Sequence, residues 1–137
     1  MNVCYLSLGS NQKHPERQVR IAIKSIKALP KTFVTKISKL YKTKAWGLQA
    51  QQCFCNAVVK IHTDLSPLLL LDYCQHIEKE QGRVRKKHWG PRVIDIDIIL
   101  YGEKIIHNDR LIIPHPYFKQ RDFVLLPLLE IKPDLKL

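Results

Sequence analysis

The sequence is poor in acidic residues and glycine and has no long apolar run, and each scarcity excludes a class of protein. It has 12 Asp and Glu against 23 Lys and Arg, so its net charge of +11 favours anionic partners. Five glycines and eight prolines exclude collagen-like and largely disordered chains. Apolar runs such as residues 68–71 are far shorter than a membrane span, and residues 1–9 lack the basic start of a signal peptide. We therefore expect a cytoplasmic protein with no membrane partner.

Cysteine is also scarce, with residues only at positions 4, 53, 55 and 74. This spacing fits no common zinc site, and no nearby base is placed to activate a thiol, so we expect four reduced cysteines without a catalytic role. No repeat, linker or change of composition divides the 137 residues. Their number is typical of one domain, so the sequence predicts a single domain over residues 1–137.

The hydrophobic pattern alternates between strand and helix periods. Strands are predicted at residues 2–8, 32–42, 54–62 and 93–101, with helices over 16–29 and from Ser66 and Pro67 to Gly82. Residues 43–52 have the composition of a loop and 103–113 that of a loop or short hairpin, and at most a brief helix is predicted near 122–126. The resulting β-α-β-β-α-β order is typical of a ferredoxin-like α/β (α+β) fold, an antiparallel sheet with two helices on one face.

A basic run precedes the last of these strands. Residues 83–92 contain five Lys or Arg and no acidic residue. Such a run is usually a solvated loop, but arginines in it could also clamp phosphates, because their forked donors match phosphate oxygens. Trp89 lies within the run, where an indole could stack on a flat heterocycle, and this favours a binding site.

Asp95 and Asp97 follow the basic run on the predicted strand. Side chains two residues apart project from one face of a strand, while Ile94, Ile96 and Ile98 occupy the other. Local salt bridges, for example to Arg92, could explain the pair. A strand with one apolar face and two carboxylates on the other, directly after a phosphate-clamp candidate, is also suited to hold Mg²⁺ against a polyphosphate, and in combination we favour this interpretation.

No GxxxxGK[ST] or GxGxxG motif is present, so side chains and metal would have to hold any phosphates. Arg110, His115, Lys119 and Arg121 form a further group of cationic or ionisable residues that suits an anion. Gln75 and Glu78 are i, i+3 neighbours on the second predicted helix, and by spacing alone they are an exposed polar stripe.

These segments together resemble the 6-hydroxymethyl-7,8-dihydropterin pyrophosphokinases of folate biosynthesis. The resemblance rests on YLSLGSN at 5–11, YKTKAWG at 41–47, FCNAVV at 54–59, QGRVR at 81–85, WGPRVIDIDIILYG at 89–102 and the long segment at 110–133. The GPR-x-x-D-x-D element followed by PHP and R-x-F is its specific part. The resemblance implies a ferredoxin-like enzyme that transfers pyrophosphate from ATP to the pterin hydroxymethyl group and releases AMP.

The resemblance also implies a set of site residues. Asp95 and Asp97 would hold two Mg²⁺, and Arg83, Arg92, Asp95 and Asp97 would be catalytic. The residues expected to bind ATP are Gln75, Glu78, Arg83, Arg85, Arg92, Ile98, Arg110, Ile112, His115 and Arg121. Those expected to bind the pterin are Thr43, Lys44, Trp46, Phe54, Asn56, Trp89, Asp95 and Phe123. The expected partners are these two small molecules, with no nucleic acid, and the expected state is a monomer.

Two other functions fit a basic ferredoxin-like domain. An RNA-binding module would need exposed aromatics in a basic run on its central strands, and residues 54–62 contain one aromatic and no such run. A nucleotide-sensing domain that binds ATP without transferring it remains open on the sequence.

Overall fold

The central element of the chain is an antiparallel sheet, seen in a computed structural model that describes residues 1–12, 14–44, 53–82 and 93–136. Its five strands are β1 (Asn2–Ser10), β2 (Thr32–Ile37), β3 (Tyr41–Lys44), β4 (Cys53–Thr63) and β5 (Asp95–Tyr101). The sheet order is β2-β4-β1-β5, β3 also pairs with β4, and every pairing is antiparallel. Short strands β6 (Ile106–His107) and β7 (Ile112–Ile113) form a separate hairpin.

Helices α1 (Pro15–Lys27) and α2 (Pro67–Gly82) pack on one face of the sheet. Alternate residues of the central strands, Leu6, Leu8, Ala57, Val59, Ile96 and Ile98, form the main core with the apolar stripes of both helices. Ser66 lies before α2 as predicted, and its Oγ accepts a hydrogen bond of 3.4 Å from the Leu69 amide. Burial of these side chains is the largest stabilising contribution to the fold.

Part of the other face of the sheet is covered by α3 (Asp122–Ile131). Val124, Leu128 and Ile131 of this helix pack on Tyr5, Val58 and Ile99, the opposite parity of the same strands. The helix therefore runs past Pro127, which is buried, and is longer than the brief helix predicted at 122–126. Pairing of an apolar helix face with an apolar sheet face explains the difference, because this gain outweighs the cost of an internal proline.

One strand of the sequence prediction was wrong. Residues 32–42 are two strands, β2 and β3, separated at residues 38–40. The Ser38 amide donates to the Val58 carbonyl at 2.9 Å, while the Ser38 Oγ accepts from the Val58 amide at 2.9 Å. A side chain thus replaces a backbone partner in the ladder, and the regular strand ends there.

The class predicted from the sequence, a mixed α/β protein with an antiparallel sheet and helices packed on it, is confirmed. Among the helices of the described residues, none has the length and apolarity needed to cross a membrane.

Candidate active site

Strand β5 separates apolar from acidic side chains, as the sequence predicts. Ile96 and Ile98 are buried in the main core, whereas Asp95 and Asp97 are exposed on the opposite face. In the pairing with β1, Asp95 lies opposite Gly9 and Asp97 opposite Ser7. Both carboxylates therefore lie on the same sheet face as α3, but past the apolar residues that the helix buries.

Each of the three central strands changes from apolar to polar residues on this face, at Ser7 and Asp97 on β1 and β5 and one cross-strand pair further along, at Asn56, on β4. Proceeding two residues along each strand leads from Asp97 to Ile99, from Ser7 to Tyr5 and from Asn56 to Val58. The apolar member of each pair lies under α3, and the polar member lies beyond it. We call the part with the polar members the open half of the face, and the part under α3 the covered half.

A cavity of about 580 Å³ lies over the open half. Its walls come from the end of β1, from β3, β4 and β5, and from the start of α3. The lining residues are Ser7, Gly9, Ser10, Asn11, Thr43, Phe54, Asn56, Asp95, Asp97, Arg121, Asp122 and Phe123. The volume is in the range of a small-molecule site.

Asn56 is a buried polar residue directed at this cavity. It is only 7% exposed, and in the described part of the chain its side-chain amide has no hydrogen-bond partner. Gly9 is its neighbour on β1, and a Cβ added there would lie 2.6 Å from Asn56 Oδ1. The missing side chain at Gly9 thus makes the room that the amide occupies. An amide held in this way is available to a ligand.

Two aromatic rings lie at the cavity. Phe54 of β4 is 38% exposed and Phe123 of α3 is 46% exposed, although burial of phenylalanine is usually favourable. The Arg121 guanidinium lies 6.0 Å from the centroid of the Phe123 ring. This wall therefore combines exposed apolar rings with a cation, which suits a flat, electron-rich ligand that carries or approaches negative charge.

Ser10 joins the end of β1 to the residues that lead into β5. Its Oγ donates to the Val93 carbonyl at 2.6 Å and accepts from the Gln12 amide at 3.3 Å. The turn after β1 and the start of the acidic strand are thereby fixed relative to each other.

The outer edge of β5 is covered by other parts of the chain. Glu78 of α2 accepts a hydrogen bond of 2.8 Å from the Ile96 amide, between the two aspartates. Further along, the His115 amide donates to the Ile99 carbonyl at 2.9 Å. The His115 Nδ1 lies 2.9 Å from the Pro116 carbonyl, which can only accept, so Nδ1 carries the hydrogen.

Arg110 lies in the turn between β6 and β7 and reaches back to α2. Its Nη2 lies 2.5 Å from Asp72 Oδ1 and 3.2 Å from Gln75 Oε1. The turn itself is held by Asn108, whose Oδ1 accepts from the amides of Arg110 and Leu111 at 2.8 and 2.9 Å. This arrangement places Gln75 and Arg110 together.

Comparison with known proteins decides the family. Residues 5–133 match the family described as 7,8-dihydro-6-hydroxymethylpterin-pyrophosphokinase (HPPK). The chain belongs to this family. A relative from Haemophilus influenzae, a 2-amino-4-hydroxy-6-hydroxymethyldihydropteridine pyrophosphokinase, is 50% identical over 137 residues, which are 100% of this chain and 86% of the relative. A protein of the same name from Pseudomonas aeruginosa is 44% identical over 133 residues, 97% of this chain and 82% of the relative.

Solved structures support the fold of the HPPK family for this chain. A crystal structure of an HPPK-DHPS in complex with substrates matches with a TM-score of 0.73 at 15% identity. The match covers 99% of this chain but 43% of the longer one, so the chain spans less than half of that protein. The reaction of the HPPK enzyme is the transfer of pyrophosphate from ATP, its co-substrate, to 6-hydroxymethyl-7,8-dihydropterin in folate biosynthesis.

The structure divides the HPPK site residues expected from the sequence into two groups. The first group lines the cavity and consists of Thr43, Phe54, Asn56, Asp95, Asp97, Arg121 and Phe123. The second group lies on α2, on the β6–β7 hairpin and directly after the hairpin, and it does not line the cavity. Its members are Gln75, Glu78, Arg110, Ile112 and His115. The side chain of Ile98 is 2% exposed in the main core, so only its backbone groups could contact a nucleotide.

The remaining expected residues lie outside the described part of the chain or at its border. Five of them are outside the described residues: Trp46, Arg83, Arg85, Trp89 and Arg92. Lys44 is the last residue of β3, and its backbone pairs with Cys53.

Sequence reasoning missed two cavity residues, Ser7 and Asp122, and left Gly9, Ser10 and Asn11 as either a turn or a ligand loop. Ser7 could have been found from its parity, since it is two residues before Gly9 and interrupts an apolar strand. Asp122 gave no comparable signal, because its place depends on where α3 packs.

The four cysteines are free. Burial raises the pKa of Cys4 to about 12 and that of Cys74 to about 12, and it also raises the pKa of Cys55. Thiols with such pKa values are protonated at neutral pH and are poor nucleophiles. Cys53 is exposed.

Proposed function

We propose that pyrophosphate transfer takes place in the cavity over the open half of the sheet, with Asp95 and Asp97 as the ligands of the catalytic metal. The observation that carries the proposal is the convergence of two carboxylates, two exposed aromatic rings and the side-chain amide of buried Asn56, which has no partner among the described residues, on one space of about 580 Å³. These groups come from two strands and one helix, β4, β5 and α3, so their meeting is a product of the fold and not of sequence proximity.

The pterin half of the site is formed by Phe54, Phe123, Asn56 and Thr43. Aromatic faces bind a flat heterocycle by stacking, and both phenylalanine rings are exposed at the cavity. The Asn56 amide offers a donor and an acceptor side by side, which matches the donor and acceptor edge of a pterin. By family resemblance Lys44, Trp46, Trp89 and Asp95 complete this half.

The donor set at Asp95 and Asp97 fits Mg²⁺. Mg²⁺ prefers oxygen ligands, and its sites commonly use one or two carboxylates together with substrate phosphates and water. Within the described residues no group of three or more His, Cys, Asp or Glu could hold a metal alone, so a bound nucleotide would complete the site. When bound, two Mg²⁺ would neutralise phosphate charge and align the triphosphate.

The nucleotide half extends from the cavity to the outer edge of β5. Arg121 lines the cavity and can pair with phosphate oxygens. By family resemblance, ATP is expected along β5, α2 and the hairpin. The residues on or beside these elements are Gln75, Glu78, Ile98, Arg110, Ile112 and His115. Arg83, Arg85 and Arg92 belong to the basic segment and are assigned the clamp on the phosphates, with Arg83 and Arg92 in catalytic roles.

The transfer requires the pterin hydroxymethyl oxygen to attack the β-phosphorus of ATP. A new bond forms between that oxygen and the β-phosphorus, and the hydroxyl proton is released to water. The bond from the β-phosphorus to the oxygen that bridges it to the α-phosphorus breaks, and AMP leaves with that oxygen. The contribution of the chain is to orient the ring through Phe54, Phe123 and Asn56 and to stabilise phosphate charge with arginines. Such positioning and charge stabilisation account for most of the catalysis in phosphoryl transfer.

The proposal is tested by incubating the protein with ATP, Mg²⁺ and the reduced hydroxymethylpterin and measuring AMP by chromatography. We expect AMP formation to depend on Mg²⁺ and to be abolished in Asp95→Ala and Asp97→Ala. Asp134→Ala removes an exposed acid outside the cavity and is the matched control that stays active. Normal turnover in both cavity variants, with folding verified by circular dichroism, would refute the metal role.

Three further assignments are proposed. The order β2-β4-β1-β5, with α1 and α2 in the connections, supports a ferredoxin-like core to which β3 adds. The monomeric state and cytoplasmic location stay predictions. Light scattering of the purified protein and fractionation of its source cells would check them.

A further inference from the structure

We propose that Ser7 is a positioning residue for Asp97, and that its hydroxyl donates a hydrogen bond to the Asp97 carboxylate when the site is loaded with metal and nucleotide. The inference rests on the proposed function of the cavity. It assigns a role to a residue of β1 that was absent from the expected site.

The first observation is the location of Ser7. In the β1–β5 ladder it is directly opposite Asp97, on the same face, and it lines the same cavity. Opposed side chains in an antiparallel pair have Cβ atoms about 4.5–5.5 Å apart. A serine hydroxyl can reach a carboxylate oxygen at hydrogen-bond distance across such a pair.

The second observation is that the Ser7 hydroxyl faces the cavity and has no hydrogen-bond partner among the described residues. Ser7 is 5% exposed, and among the residues that the structure describes no side-chain hydrogen bond involves its Oγ. Its neighbour on the other side is Val58 of β4, which offers no polar side-chain atom. The Ser7 Oγ is not among the fully buried side-chain atoms without a partner in the described residues, so it remains accessible from the cavity. A ligand-dependent partner at the cavity accounts for the missing hydrogen bond.

The third observation is the surrounding sequence. Ser7 lies between Leu6 and Leu8, both fully buried in the main core, and two residues after Tyr5, which is covered by α3. An apolar residue at position 7 would extend the covered half by one step. The hydroxyl instead places a donor next to the metal-ligand candidate.

The chemistry of the pair is that of an outer-shell contact to a metal ligand. An ionised carboxylate has two oxygens and about four acceptor positions, so it can accept from a hydroxyl and still bind a cation. Hydrogen bonds of this kind fix the orientation of a ligating carboxylate, and their removal typically weakens metal binding by about 10–100-fold. Ser7 would thus set the direction in which Asp97 presents its carboxylate to the metal.

The test compares Ser7→Ala and Ser7→Thr with the wild type. The affinity for Mg²⁺ is measured by titration calorimetry in the presence of a non-hydrolysable ATP analogue, and the affinity for the pterin is measured separately. We expect Ser7→Ala to bind Mg²⁺ about tenfold more weakly, with unchanged pterin affinity and an unchanged or higher melting temperature, because the lost hydroxyl has no partner in the unloaded protein. Ser7→Thr keeps the hydroxyl and should recover most of the loss.

Three results would overturn the inference. They are wild-type Mg²⁺ affinity in Ser7→Ala, equal losses in the alanine and threonine variants, and a loss of pterin affinity as large as the loss of Mg²⁺ affinity. Failure of the proposed function is distinguishable from these, because then the wild type itself would show no Mg²⁺ binding with the nucleotide analogue and no Mg²⁺-dependent AMP formation.

Discussion

The covered and open halves of one sheet face are built from the same three strands but have different surroundings. In the covered half, Tyr5, Val58 and Ile99 pack against α3. Two residues further along each strand, the open half presents Ser7, Asn56 and Asp97 to the cavity. The first two residues of α3, Asp122 and Phe123, line the cavity, whereas later residues such as Val124 and Leu128 pack in the covered half. The helix therefore sets the boundary between the part of the face that stabilises the fold and the part that binds ligands.

This comparison explains why polar groups that have no hydrogen-bond partner in the described part of the chain persist on this sheet face. The covered half gains free energy from apolar burial, whereas the Asn56 amide and the Ser7 hydroxyl gain none from packing. Functional sites commonly depart from the rules of stable packing in this way. Changes in the covered half should therefore reduce stability, and changes in the open half should reduce binding or activity.

The largest effect on stability is expected from Leu128→Ala. Leu128 is fully buried in the α3 cluster, so the variant leaves a cavity and should lose about 2–5 kcal/mol of unfolding free energy. Urea denaturation measures the loss, and AMP formation by the folded variant at low temperature should stay close to wild type. A variant that keeps its stability but loses activity would contradict the division between the two halves.

Gly9→Ala tests the open half. The new Cβ would lie 2.6 Å from Asn56 Oδ1, so the amide must move. We expect about tenfold weaker pterin binding, equivalent to about 1.4 kcal/mol, measured by titration with the pterin. Gly82→Ala is the matched control, because a Cβ there meets nothing within 4 Å. Equal affinities in wild type and Gly9→Ala would show that Asn56 does not contact the pterin.

Much of this arrangement follows from the sequence, and the rest depends on tertiary packing. The alternation of Ile94, Ile96 and Ile98 with Asp95 and Asp97 correctly predicts which face carries the acids, because the strand period is strictly two. The α2 helix likewise follows from Ser66, Pro67 and its apolar stripe.

The extent of α3, the break at Ser38 and the cavity position of Ser7 were not predicted. Each depends on a partner distant in sequence: the apolar sheet face for α3, Val58 for Ser38 and the β1–β5 register for Ser7. Local patterns contain no information about such partners.

Tyr41→Phe probes the junction between the two halves. The Tyr41 hydroxyl donates to Glu130 of α3 at 2.7 Å, and this hydrogen bond is the main cause that raises the pKa of Tyr41. A raised pKa means that the folded state holds the proton more tightly. The contribution is therefore complete below the unfolded value near 10 and is lost as pH rises through the folded pKa. We expect a loss of at most about 1 kcal/mol at pH 7.

Chemical denaturation of wild type and Tyr41→Phe at several pH values checks this expectation. The difference in unfolding free energy should decrease above about pH 10. A difference that stays constant from pH 7 to beyond the titration of tyrosine would show that the hydroxyl proton is not involved.

The smallest expected effect is on the reactivity of the thiols, and it compares the exposed Cys53 with the buried cysteines of the main core. Cys53 is exposed next to Phe54, whereas Cys4 and Cys74 are buried and their pKa is raised to about 12 in each case. At pH 8 these two thiols are almost entirely protonated. In the folded protein a disulfide reagent should therefore modify Cys53 first, and Cys53→Ser should remove the fast phase. A fast phase that persists in this variant would mean that the main core opens.

The central claim is that the cavity over the open half is where the two substrates meet. The most direct measurement is a crystal structure of the protein with Mg²⁺, a non-hydrolysable ATP analogue and 6-hydroxymethylpterin. We predict the pterin ring between Phe54 and Phe123 with its edge at Asn56, and metal density on Asp95 and Asp97. A pterin bound elsewhere, or metal held by the nucleotide without either aspartate, would contradict the account.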